Sequence, residues 1–554
     1  MGSMSLSSTG YSRGIWFVML LAVLAWVVRY HPPGQDLMVF DDDARQHVYW
    51  TARFQDPELF KEDLLTEFIS SPIMDPPGYQ LIYRLGTLFL DPLSFSQILS
   101  LVLLLVSIWF LELWSRSMIE QPSGRFFLQV LFLFFSLYDS SGGFPRGFAF
   151  PLFIGFMALL KKGKAAWSGL VMILEALFYP PILINTLAMA GIWILGELKK
   201  KQGLKAWLSK SLFLAAGLGI SLGILLLIYV WSDARVFGPQ VSPQEAREMP
   251  EFWEEGRSPF FQESILKFLL FGRSGVGAEY VIGFALILGV MALFGGVRII
   301  RVPCEALNLL WTSLVIFVLA HMMLFRLHLP SRYTMYTLPL ALMLIIGAST
   351  EPFLEATREV WIRFGSGKMP GWLGSKWFWR GGLAAILLLY VWAQAELIVK
   401  VDTQMVALDR TQRQMLEFLG SLPKDALVAA HPLDADNIPL VSLRRVLANK
   451  ELSLPYQLGY YKQVRERILD FFQAYYATQW EEIEQFVRKY GIAALVVNKT
   501  HFTPSFFQGR IYFEPFQSFA KQKIGKAEKE GFALLAPPLD KVCFQNSGFL
   551  VLCW

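Results

Sequence analysis

Long apolar runs separated by short polar loops dominate the first 400 positions of the chain. They lie near 15–29, 94–113, 126–138, 147–160, 165–179, 182–197, 209–231, 279–297, 305–325, 331–348 and 379–399. A helix needs about 20 apolar residues to cross a bilayer, and several of these runs reach that length. The pattern predicts a polytopic α-helical membrane protein with about 11 transmembrane helices.

The stretch from 165 to 197 is interrupted by Pro180-Pro181. One long kinked helix would fit this pattern. Lysines at both ends of the stretch favour two short passes or a re-entrant hairpin instead.

Basic residues occur in alternate loops between the runs. Lysine and arginine concentrate in 114–125, 161–164, 199–205, 298–301 and 358–380. With eleven crossings these loops share one side, which the preference of basic loops for the cytoplasm identifies as cytoplasmic. Loops 30–93, 139–146, 232–278 and 326–330, and all residues after 400, then lie on the other side. We therefore expect an integral protein embedded in the lipid bilayer of a bacterial inner membrane.

The pattern changes to a soluble alternation of helices and strands near residue 400. Buried strands are predicted at 426–430 and 492–497, an amphipathic helix at 478–490, and a terminal hairpin at 542–545 and 549–553. Cys543 and Cys553 meet across this hairpin if its register allows. The prediction is a transmembrane domain, 1–399, with outer loop 30–93, followed by an extracytoplasmic soluble α/β domain, 400–554.

The composition is typical of a membrane protein and argues against a nucleic-acid-binding protein, a disulfide scaffold and a thiolate metal site. Of the 554 residues 54% are hydrophobic and only 17% are charged, whereas soluble domains have about one quarter charged residues. The net charge of +5 comes from residues spread over short loops, so nucleic acid is not an expected partner. Three cysteines are too few for a disulfide scaffold or a thiolate metal cage.

Three consecutive carboxylates, Asp41, Asp42 and Asp43, follow the first apolar run closely. Ionisable groups beside a bilayer are costly, which makes them candidates for function. A low-dielectric surface raises the pKa of a carboxylate, and such a group can accept a proton from an acceptor hydroxyl or amide. Because adjacent carboxylates repel each other, either one titrates late or they share a divalent cation such as Mg or Mn, with Asp42, Asp43 and His47 as ligands. The structural alternative is a cap on a surface helix.

Two motifs of the first outer loop resemble a known family. Asp42-Asp43-Ala44-Arg45 looks like the Asp-Glu-Ala-Arg opening in the aminoarabinose transferase and protein mannosyltransferase branches of the GT-C superfamily of integral membrane glycosyltransferases. Asp75-Pro76-Pro77-Gly78-Tyr79 stands where those branches carry a basic residue or histidine before Pro-Pro, so Asp75 departs from the pattern. The resemblance covers the membrane half of the chain.

The resemblance implies an inverting glycosyltransferase that uses a polyprenyl-phosphate-linked sugar donor. The acceptor would be an extracytoplasmic lipid, glycan or protein. Asp42 would be the first candidate for the base, followed by Asp43 and then Asp41.

Arginines in three outer segments match such a donor. The segment 325–333 contains Arg326, His328, Arg332 and Tyr333, and Arg146 and Arg257 lie in two other loops. An arginine fork binds phosphate through paired hydrogen bonds, and fixed cations stabilise the charge of a departing phosphate. The alternative is contact with lipid headgroups. Asp139, in another outer loop, is a candidate partner of the acidic cluster or else a turn residue.

Two other functional classes remain open from the sequence. A transporter or flippase for a glycolipid or polyisoprenoid would usually carry its ionisable residues near the bilayer midplane and show internal repeats. A non-catalytic membrane subunit would present residues 400–554 to a partner, but it has no use for the acidic triplet.

Overall fold

The computed structural model describes residues 13–32, 36–139, 142–199, 204–231, 237–327, 329–364 and 405–554. The predicted apolar run at 379–399 and the predicted domain boundary at 399 lie outside these ranges.

Helices predominate in the described part of the first 364 residues. In chain order they are α1 (Arg13–Tyr30), α2 (Ala44–His47), α3 (Leu64–Ile69), α4 (Pro77–Gly86), α5 (Pro92–Ser115), α6 (Pro122–Asp139), α7 (Ala149–Lys161), α8 (Ala165–Phe178), α9 (Pro180–Lys199), α10 (Leu204–Trp231), α11 (Pro243–Glu248), α12 (Ile265–Leu270), α13 (Ala278–Gly295), α14 (Cys304–Met322) and α15 (Thr337–Phe364). Every predicted apolar run within the described ranges forms a helix, because in lipid a helix satisfies its own backbone hydrogen bonds.

Five segments are long and apolar enough to cross a membrane. They are Pro92–Ser115, Pro180–Leu198, Trp207–Ile228, Cys304–Met322 and Pro330–Glu359. Shorter apolar helices occupy Gly14–Tyr30, Pro122–Leu137, Ala165–Phe178 and Ala278–Leu293. These helices confirm the predicted class, a polytopic α-helical integral membrane protein.

The Pro180-Pro181 pair separates α8 from α9. Tyr179 has φ −152° and ψ 79°, outside the helical region, because the residue before a proline avoids helical geometry. The structure therefore has two helices here rather than one continuous helix.

Strand β1 (Met38–Asp41) pairs with β2 (Met405–Leu408) in a two-stranded sheet. Residues 405–554 add a mixed sheet with strands β3 (Leu427–Ala429), β4 (Arg445–Val446), β5 (Ala494–Asn498), β6 (Val542–Gln545) and β7 (Phe549–Cys553). Strands β3 to β7 form one sheet in the order β4-β3-β5-β7-β6, parallel across β4, β3 and β5 and antiparallel from β5 to β6. The predicted strands and terminal hairpin are confirmed, and Cys543 and Cys553 form a disulfide across the hairpin.

Seven helices accompany this sheet. They are α16 (Arg410–Gly420), α17 (Pro432–Ala435), α18 (Ile438–Val441), α19 (Leu458–Tyr475), α20 (Trp480–Tyr490), α21 (Pro504–Gln508) and α22 (Phe516–Glu530). Helix α20 lies where the sequence predicts an amphipathic helix, and it buries Ile483, Phe486 and Val487. The α/β character predicted for this part of the chain is thereby confirmed.

The C-terminal domain is tied to the outer loops at several points. Strand β1 pairs with β2 in antiparallel register, with Asp41 opposite Met405. The ring of Phe68 stacks on that of Tyr460, with centroids 3.7 Å apart. These contacts hold the segment 36–93 against residues 405–554.

The segment at 238–241 is attached to residues 456–458 by main-chain contacts. Gln240 and Gln457 form an antiparallel bridge, flanked by hydrogen bonds from the Val241 N–H to the Tyr456 carbonyl and from the Leu458 N–H to the Pro239 carbonyl. Gly238 has φ +78°, and a Cβ there would lie 2.5 Å from a backbone nitrogen. Only glycine allows the two segments to approach so closely.

Candidate functional site

A cavity of about 550 Å³ lies where loop residues of the N-terminal part of the chain, the ends of several apolar helices and residues 450–457 meet. Its acidic lining residues are Asp42, Asp43 and Glu451, and its basic ones are Arg146, Arg257, Arg273, Arg332 and Lys450. Tyr179, at the break between α8 and α9, also lines it. The volume is typical of small-molecule sites, and cationic groups outnumber the carboxylates.

The three aspartates at the end of β1 have different surroundings. Asp41 is 3% exposed and is not among the residues that line the cavity. It contacts Arg29 at 3.2 Å and accepts a hydrogen bond from the Tyr30 hydroxyl. Burial raises the pKa of Asp41, against the opposing effect of Arg29. Asp41 therefore connects β1 to the end of α1, while Asp42 and Asp43 turn into the cavity.

Asp42 is the most accessible carboxylate of the triplet, with 32% of its side chain exposed. It pairs with Arg45 one turn further along. Burial and the negative charge of Glu451 raise the pKa of Asp42 to about 6, although Arg45 opposes the shift. A carboxylate with this pKa is ionised near neutral pH and basic enough to accept a proton.

Asp43 is held by a different cation. The Arg146 Nε lies 3.1 Å from its Oδ2. Burial alone would raise the pKa of Asp43, but Arg146 and His47 outweigh it and lower the pKa below its ordinary value. Asp43 thus remains an anion, which makes it a weaker base than Asp42.

Asp75, where the sequence departs from the family pattern, lies behind the cavity and is fully buried. Its carboxylate contacts His47 Nδ1 at 2.6 Å and accepts a hydrogen bond from Trp50 Nε1 at 2.6 Å. Burial lowers the pKa of His47, but Asp75 more than compensates and the net pKa is raised. Asp75 therefore orients His47, which lines the cavity.

The predicted arginines have different environments. Arg332 lines the cavity, and within the described ranges no carboxylate lies within 4.0 Å of it; its Nη1 contacts Met335 Sδ at 3.6 Å. Arg257 instead pairs with Glu451 at 3.4 Å. Arg326 is exposed and is not among the cavity residues. Of the cationic candidates, Arg332 is the one most available to an anionic ligand.

The remaining candidates do not reach the cavity or are not described. Tyr333 is buried, and its hydroxyl donates to the Leu327 carbonyl at 2.6 Å. His328 and the side chain of Asp139 lie outside the described part of the structure.

Glu451, Lys450 and Arg273 are site residues that the sequence did not indicate. Glu451 and Lys450 belong to a segment assigned to a separate soluble domain, and no local motif marks them. Arg273 lies in an outer loop already known to contain arginine, and its Nη1 is 3.5 Å from the Tyr456 hydroxyl. Loop position was the only signal that could have pointed to Arg273.

Three carboxylates converge closely enough to share a cation. One oxygen each of Asp42, Asp43 and Glu451 lies within 4.8 Å of the others. Oxygen ligands of this kind suit Mg²⁺ or Mn²⁺. His47, the other ligand candidate, has its Nδ1 engaged by Asp75, so Glu451 fits this set better.

Together, the fold and the cavity define an integral membrane protein with a charged pocket between the loops of its helical part and its C-terminal residues 405–554. No family model matches the chain, and no curated protein matches it. The solved structures similar to it include those of an oligosaccharyltransferase from Archaeoglobus fulgidus.

The form tethered with an acceptor peptide has a TM-score of 0.49 and 10% identity, covering 92% of this chain and 72% of that one. The apo form has a TM-score of 0.47 and 11% sequence identity, and the match covers 92% of this chain and 73% of that one. The complex with an inhibitory peptide and a dolichol-phosphate has a TM-score of 0.48 and 11% sequence identity, and the match covers 96% of this chain and 76% of that one.

Proposed function

We propose that this chain is a GT-C type membrane glycosyltransferase that takes a sugar from a polyprenyl-phosphate-linked donor. The observation that carries the proposal is the cavity itself, which is lined both by the carboxylate of Asp42 and by the guanidinium of Arg332. Among the described residues, no carboxylate lies within 4.0 Å of Arg332. Sugar transfer from a lipid phosphate needs a base for the acceptor and a cation for the leaving phosphate, and the cavity contains both.

In the proposed reaction Asp42 accepts the proton of an acceptor hydroxyl or amide. The freed electron pair forms the new bond to the anomeric carbon, and the bond from that carbon to the phosphate oxygen breaks on the opposite face. The sugar is transferred with inversion, and the polyprenyl phosphate leaves with the bonding electrons. Arg332 stabilises the charge that develops on the phosphate.

The proposed arrangement in the membrane follows from the same residues. The transmembrane domain, 1–399, supplies Asp42 and the arginines, and the domain at 400–554 covers the cavity from outside the cytoplasm. A donor with a long lipid tail reaches such a site from the outer leaflet, because its phosphate stays at the bilayer surface while the tail remains in the hydrocarbon. The acceptor is a lipid, a glycan or a protein in that compartment.

The acidic cluster can also contribute to the proposed reaction by binding a divalent cation. Asp42, Asp43 and Glu451 would hold it, and the ion would supply Lewis-acid stabilisation of phosphate charge. If the site requires such an ion, treatment with EDTA abolishes sugar transfer, and Mg²⁺ or Mn²⁺ restores it. Transfer that is unchanged after exhaustive chelation shows that arginines alone neutralise the phosphate. The measurement is labelled-sugar transfer by purified protein before and after chelation.

The pH dependence distinguishes these two arrangements. With Asp42 as a free base of pKa about 6, only the ionised form accepts a proton, so kcat/KM falls tenfold per pH unit below about 6 and is level above it. A bound cation would favour the ionised carboxylate and move this limb to lower pH. A pH profile between 4.5 and 8, recorded with and without EDTA, measures the limb. If kcat/KM falls below pH about 6 both with and without EDTA, the result supports Asp42 as a base without a bound cation.

The overall test is donor-dependent labelling of membranes that contain the chain. Membranes are incubated with a panel of radiolabelled polyprenyl-phosphate hexoses, pentoses and amino sugars, and labelled acceptors are extracted. Transfer by the wild type but not by membranes lacking the chain supports the proposal. Movement of labelled donor across proteoliposome bilayers without transfer would identify a flippase instead.

A topology measurement tests the orientation. A cysteine introduced at Glu58, in the same loop as Asp42 and with a side chain that is 63% exposed, is expected to react with a membrane-impermeant thiol reagent from the periplasmic side of intact spheroplasts. Labelling of this cysteine only after the membrane is opened would place the acidic cluster in the cytoplasm and overturn the mechanism.

A further inference from the structure

Glu451 of the C-terminal domain lies between two arginines that come from different outer loops. Its Oε1 is 3.5 Å from Arg45 Nη2, and its Oε2 is 3.4 Å from Arg257 Nη2. The residue is only 5% exposed. We call Glu451 with Arg45, Arg257 and Asp436 the Glu451 junction.

The C-terminal domain fixes Glu451 before any substrate binds. The Glu451 N–H donates to Asp436 Oδ1 at 2.8 Å, and the next N–H donates to Asn449 Oδ1 at 3.0 Å. Asp436 also faces Arg45, with Oδ2 3.7 Å from its Nη1. Both the main chain and the charge environment of Glu451 are therefore set by this domain.

Arg257 is held by one edge of its guanidinium group. Its Nε donates to the Lys450 carbonyl at 2.7 Å, and its Nη2 faces the Glu451 carbonyl at 3.2 Å as well as the carboxylate. Within the described ranges Nη1 has no hydrogen-bond partner, and Arg257 lines the cavity. The bonded edge locks the side chain, and the free edge remains available to an anion.

We propose that Glu451 is a positioning residue through which the C-terminal domain holds Arg257 for the phosphate of the donor. This inference rests on the proposed function and extends it, because it makes the C-terminal domain part of the phosphate site rather than a cover over it. Without the carboxylate, Arg257 keeps its carbonyl contacts but loses the ion pair that fixes the plane of its fork. Phosphate binding then has to include the cost of ordering a long side chain.

Binding of polyprenyl phosphate without a sugar tests this proposal independently of activity. The probe is titrated into the full chain in detergent micelles, and polyprenol without phosphate serves as the reference ligand. Glu451→Gln is expected to weaken polyprenyl phosphate binding by up to about tenfold, the cost of ordering one long side chain, and to leave polyprenol binding unchanged. Glu466→Gln is the control, since Glu466 belongs to the same domain and makes an exposed ion pair with Lys489.

Three results would overturn the proposal. They are unchanged affinity in Glu451→Gln, an equal loss in Glu466→Gln, and an equal loss for polyprenol, which would indicate general damage. If Glu451→Gln does not fold, Glu451→Asp decides, because it keeps the charge but withdraws it from Arg257. It is expected to weaken phosphate binding about threefold, and unchanged affinity would count against the junction.

The same experiment separates this inference from the proposed function. If the wild type transfers no sugar from any donor of the panel, the proposed function fails, whatever Glu451 does. If the wild type transfers sugar and Glu451→Gln binds polyprenyl phosphate normally with an unchanged KM for the donor, the positioning role alone fails.

Discussion

Asp42→Asn is expected to lower kcat for sugar transfer by about 10³-fold, within the range that a general base contributes. The amide keeps the shape of the side chain but cannot accept the acceptor's proton. Because the pairing with Arg45 lies in a partly exposed position, the folded structure should be preserved, and the KM for the donor should change little. Initial rates with saturating labelled donor measure the effect.

Two variants accompany this measurement. Asp36→Asn changes an aspartate of the same outer loop whose side chain is 81% exposed and pairs with Arg413, and it should transfer sugar at the wild-type rate. Asp43→Asn removes the partner of Arg146 and should reduce transfer less than Asp42→Asn does. If Asp42→Asn retains more than a tenth of wild-type activity, or if Asp43→Asn loses more, Asp42 is not the base.

Arg332→Met is expected to lower kcat/KM for the donor by about 10²-fold, comparable to removing one fixed donor from a charge-stabilising site. Methionine fills similar space without charge. The loss arises because Arg332 has no carboxylate within 4.0 Å in the described part of the chain, so its charge is available to the leaving phosphate. The kcat/KM of Arg332→Lys should lie between those of the wild type and Arg332→Met, since lysine keeps the charge but lacks the planar fork of arginine.

Arg326→Met provides the matched control. Arg326 lies six positions earlier in the same segment, but it is exposed and outside the cavity lining. Its replacement should leave kcat/KM within about twofold, as expected for a solvated surface charge. Equal losses in Arg326→Met and Arg332→Met would mean that the segment acts through lipid headgroups or through folding rather than through one phosphate contact.

Much of the fold could be predicted because it depends on local patterns. Apolar runs specify helices in a membrane, and the described runs all form them. The Pro180-Pro181 break, strands β3 and β5 and the terminal hairpin follow equally from short-range backbone preferences.

For the candidate site, the sequence predicted only that its acidic and basic residues lie in loops on the same side of the membrane. Asp42, Asp43, Arg146, Arg257 and Arg332 all line the cavity, as their assignment to one side suggests. Only the family resemblance ranked Asp42 ahead of Asp41. The residues themselves did not separate the two, because the different directions of their side chains depend on how β1 ends. The sequence could not separate Arg326 from Arg332 either, since exposure depends on what packs against the segment.

By itself, then, the sequence determined that this is a membrane protein, where its helices run, and that acids and arginines gather near one face. Hydropathy and charge placement carry that information, because lipid rejects unpaired polar groups wherever they occur. Only the tertiary structure decided which of these charges meet. Glu451 lies 406 positions from Arg45, and no local pattern links them. Their contact exists because β1 pairs with β2 and the C-terminal domain packs onto the outer loops, and this packing also shapes the cavity around Asp42.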